Sequence, residues 1–325
     1  MLKISITVVG ALAIVLIGLA IYTQIAASQI ESRFRATGKF ADVGGYKLHF
    51  FEVAVEGETD LPPLVFVHGA SGNLEDQRGA FEQAFKGRAR LIFVDRPGHG
   101  YSERGGEINS SPEGQANAIA ALLDHLNIEK AIMVGHSFGG STIAAVAVFH
   151  PKKVAGLAFL APATHPWPGG VSWHNHVAAT PIIGPIFCHT LSLPAGKVLV
   201  PGAVAGVFKP NSPPEGYEET AATELVLRPS NFCSNATDVV SLRPHLVTMS
   251  PRYKEIAAPT VIVTGDSDDV VFAHIHSKGL ERDIPGAKLI ELKGVGHKPD
   301  YVATETIKTA IVGLVSGKSV AEASQ

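Results

Sequence analysis

The chain has 325 residues, 46% of them hydrophobic and 18% charged, with a formal net charge of −3 and a mean hydropathy of +0.19. Intrinsic disorder, which needs low hydrophobicity and high net charge, is excluded, and two cysteines are too few for a disulfide scaffold. So balanced a charge carries no basic footprint, and no nucleic acid is expected as a partner.

The first predicted element is a membrane helix. No charged residue occurs from Ile4 to Ala27, a run of 24 positions in which Ser5, Thr7, Thr23 and Gln24 are the polar ones. As a helix the run is about 36 Å long, against a hydrocarbon core of about 30 Å. The apolar core of a signal peptide is shorter, about 7–15 residues. Residues 1–30 therefore read as a single-pass N-terminal anchor with residues 4–27 in the lipid bilayer. The small residues Ala26-Ala27-Ser28 leave cleavage as an alternative. Lys3 before the run and Arg33, Arg35 and Lys39 after it nearly balance, so the flanks do not orient it. Cys188 and Cys233 suit either a bond in an oxidising compartment or two buried thiols.

From about residue 40 short apolar runs alternate with helical stretches. Tyr46–Phe51, Leu64–Val67, Leu91–Val94, Ala131–Val134, Val154–Leu160, Val261–Val263 and Lys288–Leu292 read as strands. Continuous apolar runs suit strands buried on both faces. Ser111 before Pro112 predicts a helix start, with proline at the first helical position. Helices are expected through Ala116–Leu126, Phe138–Phe149, Phe272–Asp283 and Asp300–Val315. Alternation of this kind implies parallel strands joined by helical crossovers, an open α/β sheet. Between Ala161 and Ala258 no strand run occurs. That proline-rich stretch, with helical patches near Tyr217–Leu227 and Asn235–Thr248, predicts a helical insertion over the sheet. The expected organisation is a core over 40–162 and 258–317, a cap over 163–257 and a small polar tail over 318–325.

Gly135-His136-Ser137-Phe138-Gly139 fits G-x-S-x-G and lies between a predicted strand and a predicted helix, the context that motif needs. A sharp turn there lifts the serine hydroxyl above the sheet edge, and the following helix points its N-terminus at developing negative charge. A serine needs a base to become nucleophilic. His297, in Gly294-Val295-Gly296-His297, follows the last strand and can reach Ser137. The base in turn needs an orienting carboxylate, and Asp266, Asp268 and Asp269 compete for that role in the loop after the preceding strand. The order Ser, Asp, His along the chain is the one expected for a nucleophile on such a strand-to-helix turn of an α/β sheet.

Together with Val67-His68-Gly69-Ala70 and Asp95-Arg96-Pro97-Gly98-His99-Gly100-Tyr101-Ser102, these motifs resemble the α/β-hydrolase family over roughly residues 40 to 317. The resemblance implies a mostly parallel sheet flanked by helices, with a helical cap. It also implies an acid loop reading G-x-x-D-x-x-V, which places the acid at Asp268 with Val271 closing the motif. It implies an oxyanion hole made by the amides of Ala70 and Phe138. Serine at position 137 implies acyl transfer to water, whereas family members that cleave carbon–halogen bonds or epoxides use aspartate.

The expected activity is thus a carboxylesterase or lipase-like serine hydrolase acting on a hydrophobic acyl or aryl substrate. A carbon–carbon bond hydrolase on the same fold is the alternative enzyme, with a cofactor-free haloperoxidase-like activity behind it. A non-catalytic binding protein is the reading from another class. Trp167 and Trp173 are candidates to line the pocket, or else apolar feet of the insertion. Trp173-His174-Asn175-His176 lacks partners at metal-ligand spacing, so no metal is expected. No dinucleotide fingerprint or P-loop occurs, so no cofactor is expected.

Overall fold

Leu64, Val65, Phe66 and Val67 are all fully buried, which a strand achieves only when both faces of its sheet are covered. The computed structural model describes residues 2–55 and 57–316, with side chains from residue 10 onward. The tail expected over 318–325 lies outside the described residues. In chain order the elements are α1 (Leu2–Arg33), β1 (Lys39–Asp42), β2 (Lys47–Val53), β3 (Leu64–Val67), α2 (Leu74–Phe85), β4 (Leu91–Val94), α3 (Pro112–His125), β5 (Ala131–His136), α4 (Phe138–Phe149) and β6 (Val154–Leu160). Then come α5 (Trp173–Ala179), α6 (Ile183–Thr190), α7 (Ser192–Phe208), α8 (Tyr217–Thr220) and α9 (Pro229–Met249), all in the insertion. The sheet resumes with β7 (Thr260–Gly265), α10 (Ser277–Asp283), β8 (Lys288–Leu292), α11 (Pro299–Val302) and α12 (Thr304–Ser316).

The eight strands form one sheet in the order β1-β2-β4-β3-β5-β6-β7-β8. β2 pairs antiparallel with β1 and β4, and all other pairs are parallel. Alternation along the strands divides the core into two layers. Val65, Val67, Ile92, Val94 and Met133 face α3, α4 and α10. Leu64, Phe66, Leu91, Phe93 and Val134 face α2 and α12. The start of α3 is as expected: the Ser111 side chain accepts the Gly114 amide and Pro112 occupies the first turn. Two predicted helices are shorter than their apolar patterns. α10 begins only at Ser277, because the amides of Val270 and Val271 are drawn to Asp268 Oδ1 and the loop turns there. The last helix breaks at Ala303 into α11 and α12.

The cap is held to the core by buried polar contacts. Asp238 on α9 lies fully buried between Arg96 and Arg104, at 2.9 and 2.7 Å, and accepts Gln115 Nε2 at 2.9 Å. Asn231 donates to the carbonyls of Gly98 and Gly100. Cys188 of α6 and Cys233 of α9 are joined as a disulfide.

α1 has two regimes. Residues 10–22 include no buried side chain. From Thr23 the helix lies on the cap, where Ala26, Ala27 and Ile30 pack with Leu193, Leu225 and Leu227. Thr23 Oγ1 donates to the Thr190 carbonyl at 3.2 Å. Glu31 pairs with Arg228, and Arg33 with Glu219 and Glu224.

Candidate active site

β5 ends at His136 and α4 begins at Phe138, which leaves Ser137 alone to make the reversal. It does so with φ 52° and ψ −118°, a conformation costly for a residue with a side chain and held here by its surroundings. The Ser137 amide donates to the Leu160 carbonyl at 2.9 Å, and its carbonyl accepts the amides of Gly140 and Ala163. The flanking glycines are steric necessities. A methyl on Gly135 would lie 2.5 Å from the Gly139 carbonyl oxygen, and one on Gly139 would strike the Val67 carbonyl.

The loops after β7 and β8 meet this turn at the carboxyl edge of the parallel sheet, where open α/β sheets place their ligands. Ser137 Oγ donates to His297 Nε2 at 3.0 Å. His297 Nδ1 donates to Asp268 Oδ2 at 2.7 Å. The other oxygen of Asp268 accepts the Val270 and Val271 amides at 2.8 and 2.9 Å. Burial raises the affinity of the Asp268 carboxyl for its proton. The His297 hydrogen bond and charge, then those two amides, outweigh burial and hold it below the ordinary aspartate value. Asp266 instead binds the Gly294 amide at 2.8 Å, and Asp269 is exposed. Of the three competing acids, only Asp268 is hydrogen-bonded to the histidine.

Phe138 opens α4, so its amide is one of the first-turn donors that a helix cannot use internally. Ala70 follows Gly69, and a methyl on Gly69 would come within 2.9 Å of Ser137 Cβ. Backbone and nucleophile therefore close up at this point. Behind the Ala70 loop, His68 Nε2 accepts the Arg96 amide at 3.0 Å, so its Nδ1 donates to the Gly69 carbonyl at 2.8 Å. Burial, reinforced by Arg96, pushes the His68 pKa down to about 3, so the ring is neutral and the tautomer fixed. His136 Nε2 donates to the His297 carbonyl at 2.8 Å.

Three supports escaped the sequence reading. Asn235 on α9 accepts the Ser71 amide at 2.6 Å, which ties the cap to the loop carrying Ala70. Asn73 caps α2 and donates to the Ala221 and Ala222 carbonyls of the cap. Lys298, directly after His297, is buried with Nζ 2.8 Å from Asp76 Oδ2 and 2.9 Å from Asp300 Oδ2. Asp76, Asp300 and His136 lie close enough to hold a metal ion, but the Lys298 ammonium already bridges the two carboxylates. Each of these residues is an ordinary polar residue in sequence, and the partners lie up to 222 positions apart.

Two cavities open on Ser137. One, of about 300 Å³, is lined by Ala70, Ser137, His297 and the α7 residues Val200, Val204 and Val207. The other, of about 400 Å³, is lined by Ala70, Phe138, Trp167, Leu242, Val271 and Phe272. Trp167 lines the second cavity and also packs against the core. Trp173 does not: it is 70% exposed at the start of α5 and lines neither cavity. The turn of α5 sends its ring outward, against His174 and Phe187. The arrangement supplies a hydroxyl with a base, a base with a carboxylate, two unused backbone donors and apolar space on either side of the hydroxyl. This is the equipment for attack on a carbonyl carbon.

A family model described as the alpha/beta hydrolase fold matches residues 62–184. The chain is similar to a candidate esterase/lipase of Haemophilus influenzae, 24% identical over 76% of this chain and 83% of that one. It is also 41% identical to the dihydrolipoyllysine-residue acetyltransferase component of an acetoin cleaving system of Pseudomonas putida, over 38% of this chain. That match spans about a third of the relative's own length, 32%. Among solved structures, the enol-lactonase of Burkholderia xenovorans superposes with a TM-score of 0.67 at 20% identity, over 86% of this chain and 100% of that one.

Proposed function

The chain has the α/β-hydrolase fold, and on that premise we propose that it is a membrane-anchored serine hydrolase cleaving an ester-type bond in a hydrophobic acyl or aryl substrate. The observation that carries this reading is His297 bridging Ser137 and Asp268, with one ring nitrogen on each. Ser137 Oγ attacks the carbonyl carbon while His297 Nε2 takes its proton. Asp268 keeps Nδ1 protonated and stabilises the imidazolium that forms. The tetrahedral oxyanion meets the amides of Phe138 and Ala70, each such donor being worth about 10²–10³ in rate. Collapse breaks the bond to the leaving alcohol, which receives the proton from His297. Water then attacks the acyl-enzyme with His297 as base, and the acid and free Ser137 result. The apolar linings of the two cavities support a hydrophobic substrate.

Anchoring rests on α1, whose described part from Gly10 is apolar and long enough to cross a bilayer. The packing of Ala26, Ala27 and Ile30 on the cap favours an uncleaved helix, since cleavage beside Ala27 would cut through packed structure. The Cys188–Cys233 bond favours a catalytic body in an oxidising compartment.

The test is turnover of p-nitrophenyl esters of graded chain length by Ser137→Ala, His297→Ala and the double variant. Each single variant should lose about 10³-fold or more, and the double should be little worse, because the residues act as a unit. Near-normal turnover by Ser137→Ala would reject the reading. Turnover of a vinylogous diketone with no ester turnover would replace it with carbon–carbon bond hydrolysis.

A further inference from the structure

We propose that the outer face of α6 and α7 is a second contact with the bilayer that α1 enters, and that α7 is the wall through which a lipid-dissolved acyl ester reaches Ser137. The proposal rests on the anchored-hydrolase reading above and adds the surface and the route.

Composition gives the first indication. From Pro162 to Phe208 the sequence contains one Asp, Glu, Lys or Arg, namely Lys197. A water-facing cap would carry charges on its outer side. This one instead presents Ile182 at 80% exposure, Val198 at 78% and Leu199 at 66%, with Ile183, Ile186 and Leu191 also exposed. Bare apolar side chains gathered on two adjoining helices point to an interaction site. Trp173 is part of the same surface, its ring against Phe187 of α6. Its amphipathic indole suits the headgroup level.

Continuity with α1 decides the occupant. Thr23 donates to the carbonyl of Thr190, the last residue of α6. The bare part of α1 therefore leaves the body beside the α6–α7 corner, where Leu191 is exposed. A bilayer around residues 10–22 meets that corner without any rearrangement. α6 and α7 meet at 65°. With 8 and 17 residues they are about 12 and 25 Å long, so neither spans a 30 Å core and both fit in its interface.

α7 has two working faces. Val200, Val204 and Val207 line the cavity beside Ser137, while Val198 and Leu199 look outward. One helix, about 10 Å across, thus separates the outer apolar face from the nucleophile. The helix is weakened in its middle by Pro201, which cannot donate its backbone bond. Beyond their own stretch of α7, Gly202 and Gly206 have no neighbouring atom within 4 Å of the positions where Cβ atoms would stand. An acyl chain that leaves the bilayer here passes from lipid to apolar pocket without crossing water.

The test uses the full-length chain in fluid phosphatidylcholine vesicles. Ile14→Cys, Leu199→Cys and Glu129→Cys each carry an environment-sensitive fluorophore, read against nitroxide-labelled lipid and aqueous iodide. Glu129 lies before the amino end of β5, away from the carboxyl ends of the strands that carry Ser137. The expected result is quenching from lipid at 14 and 199 and from iodide at 129. In a second arm, Leu199→Glu should lower the ratio of vesicle-borne long-chain ester turnover to water-soluble short-chain ester turnover about tenfold, the effect of about 1.4 kcal/mol. Lipid quenching at 14 with iodide quenching at 199 overturns the cap contact and leaves the anchor standing. Iodide quenching at 14 overturns the anchor and the proposal together. An unchanged turnover ratio in Leu199→Glu overturns the route through α7.

Discussion

Asp268, Asp266 and Asp269 differ in what their carboxylates face, and the difference sets their expected effects. Asp268→Asn keeps the shape but removes the charge that holds the His297 tautomer, so it should lose about 10³–10⁴-fold in kcat. Asp266→Asn and Asp269→Asn should stay within about tenfold of the parent, since neither carboxylate touches the histidine. Steady-state rates on one ester check this, and equal losses at all three positions would refute it. Lys298 offers a second residue-level prediction. Burial opposes its charge, but Asp300 and Asp76 overcome burial and raise its pKa. Asp300 is in turn held below its ordinary value, Lys298 overcoming the effect of burial. The lysine's share of stability is whole below its unfolded value near 10.4 and fades as pH rises through the folded one; the aspartate's is present above about 3.9 and is lost as pH falls through its lower folded value. The network is therefore fully favourable between about pH 4 and 10. Lys298→Met strands two buried carboxylates and should cost about 3–5 kcal/mol. It should also create a pH response that the parent network lacks: the variant should gain stability from pH 7 to 5, where the parent network contributes no change. Denaturant midpoints at the two pH values decide the matter. Ser137 and His297 were legible because glycine-rich motifs surround them, whereas nothing near Lys298 announces Asp76.

At the scale of elements, α1 has one half that is bare and one half that packs on the cap. A chain that starts near residue 20 should keep the melting temperature of the folded body. A chain that starts near Arg33 strips Ala26, Ala27 and Ile30 from Leu193, Leu225 and Leu227 and should lose about 2–4 kcal/mol through lost apolar burial. Calorimetry of both in detergent is the check, and identical melting would show that the packed half contributes nothing. The elements differ in how openly the sequence wrote them. Strands buried on both faces stood out as uninterrupted apolar runs. β1 did not, because only Ala41 of its four residues is buried and its pattern is that of an edge. α2 was missed because its buried face includes Asp76 and Gln77 beside Phe81 and Phe85, which breaks the apolar stripe that marks a helix. α7 was hidden by its own prolines and glycines, which read as breakers when no neighbouring helix is known.

At the scale of the whole molecule, the order of motifs along the chain was enough to fix the sheet type and the edge that carries the site. The cap's seat was not legible, because Asp238 reaches Arg96 across 142 positions and Asn235 reaches Ser71 across 164. Those contacts have a direction in time. Arg96, Arg104, Gln115, Ser71, Gly98 and Gly100, the core groups that α9 binds, all precede it in the chain. β7, β8 and His297 all follow it. During synthesis, then, α9 can reach its polar partners on the β1 to β6 part of the core before β7, β8 and α12 have been made, and before His297 has been added. Domains fold as units from the N-terminus as the chain emerges. Chains stalled on the ribosome after α9 has emerged should already shield the cap from protease yet fail to react with a fluorophosphonate that labels activated serines. Labelling should appear only with the last residues of the chain. On the proposed reading, the nascent chain stays unreactive until the segment carrying His297 closes on Ser137.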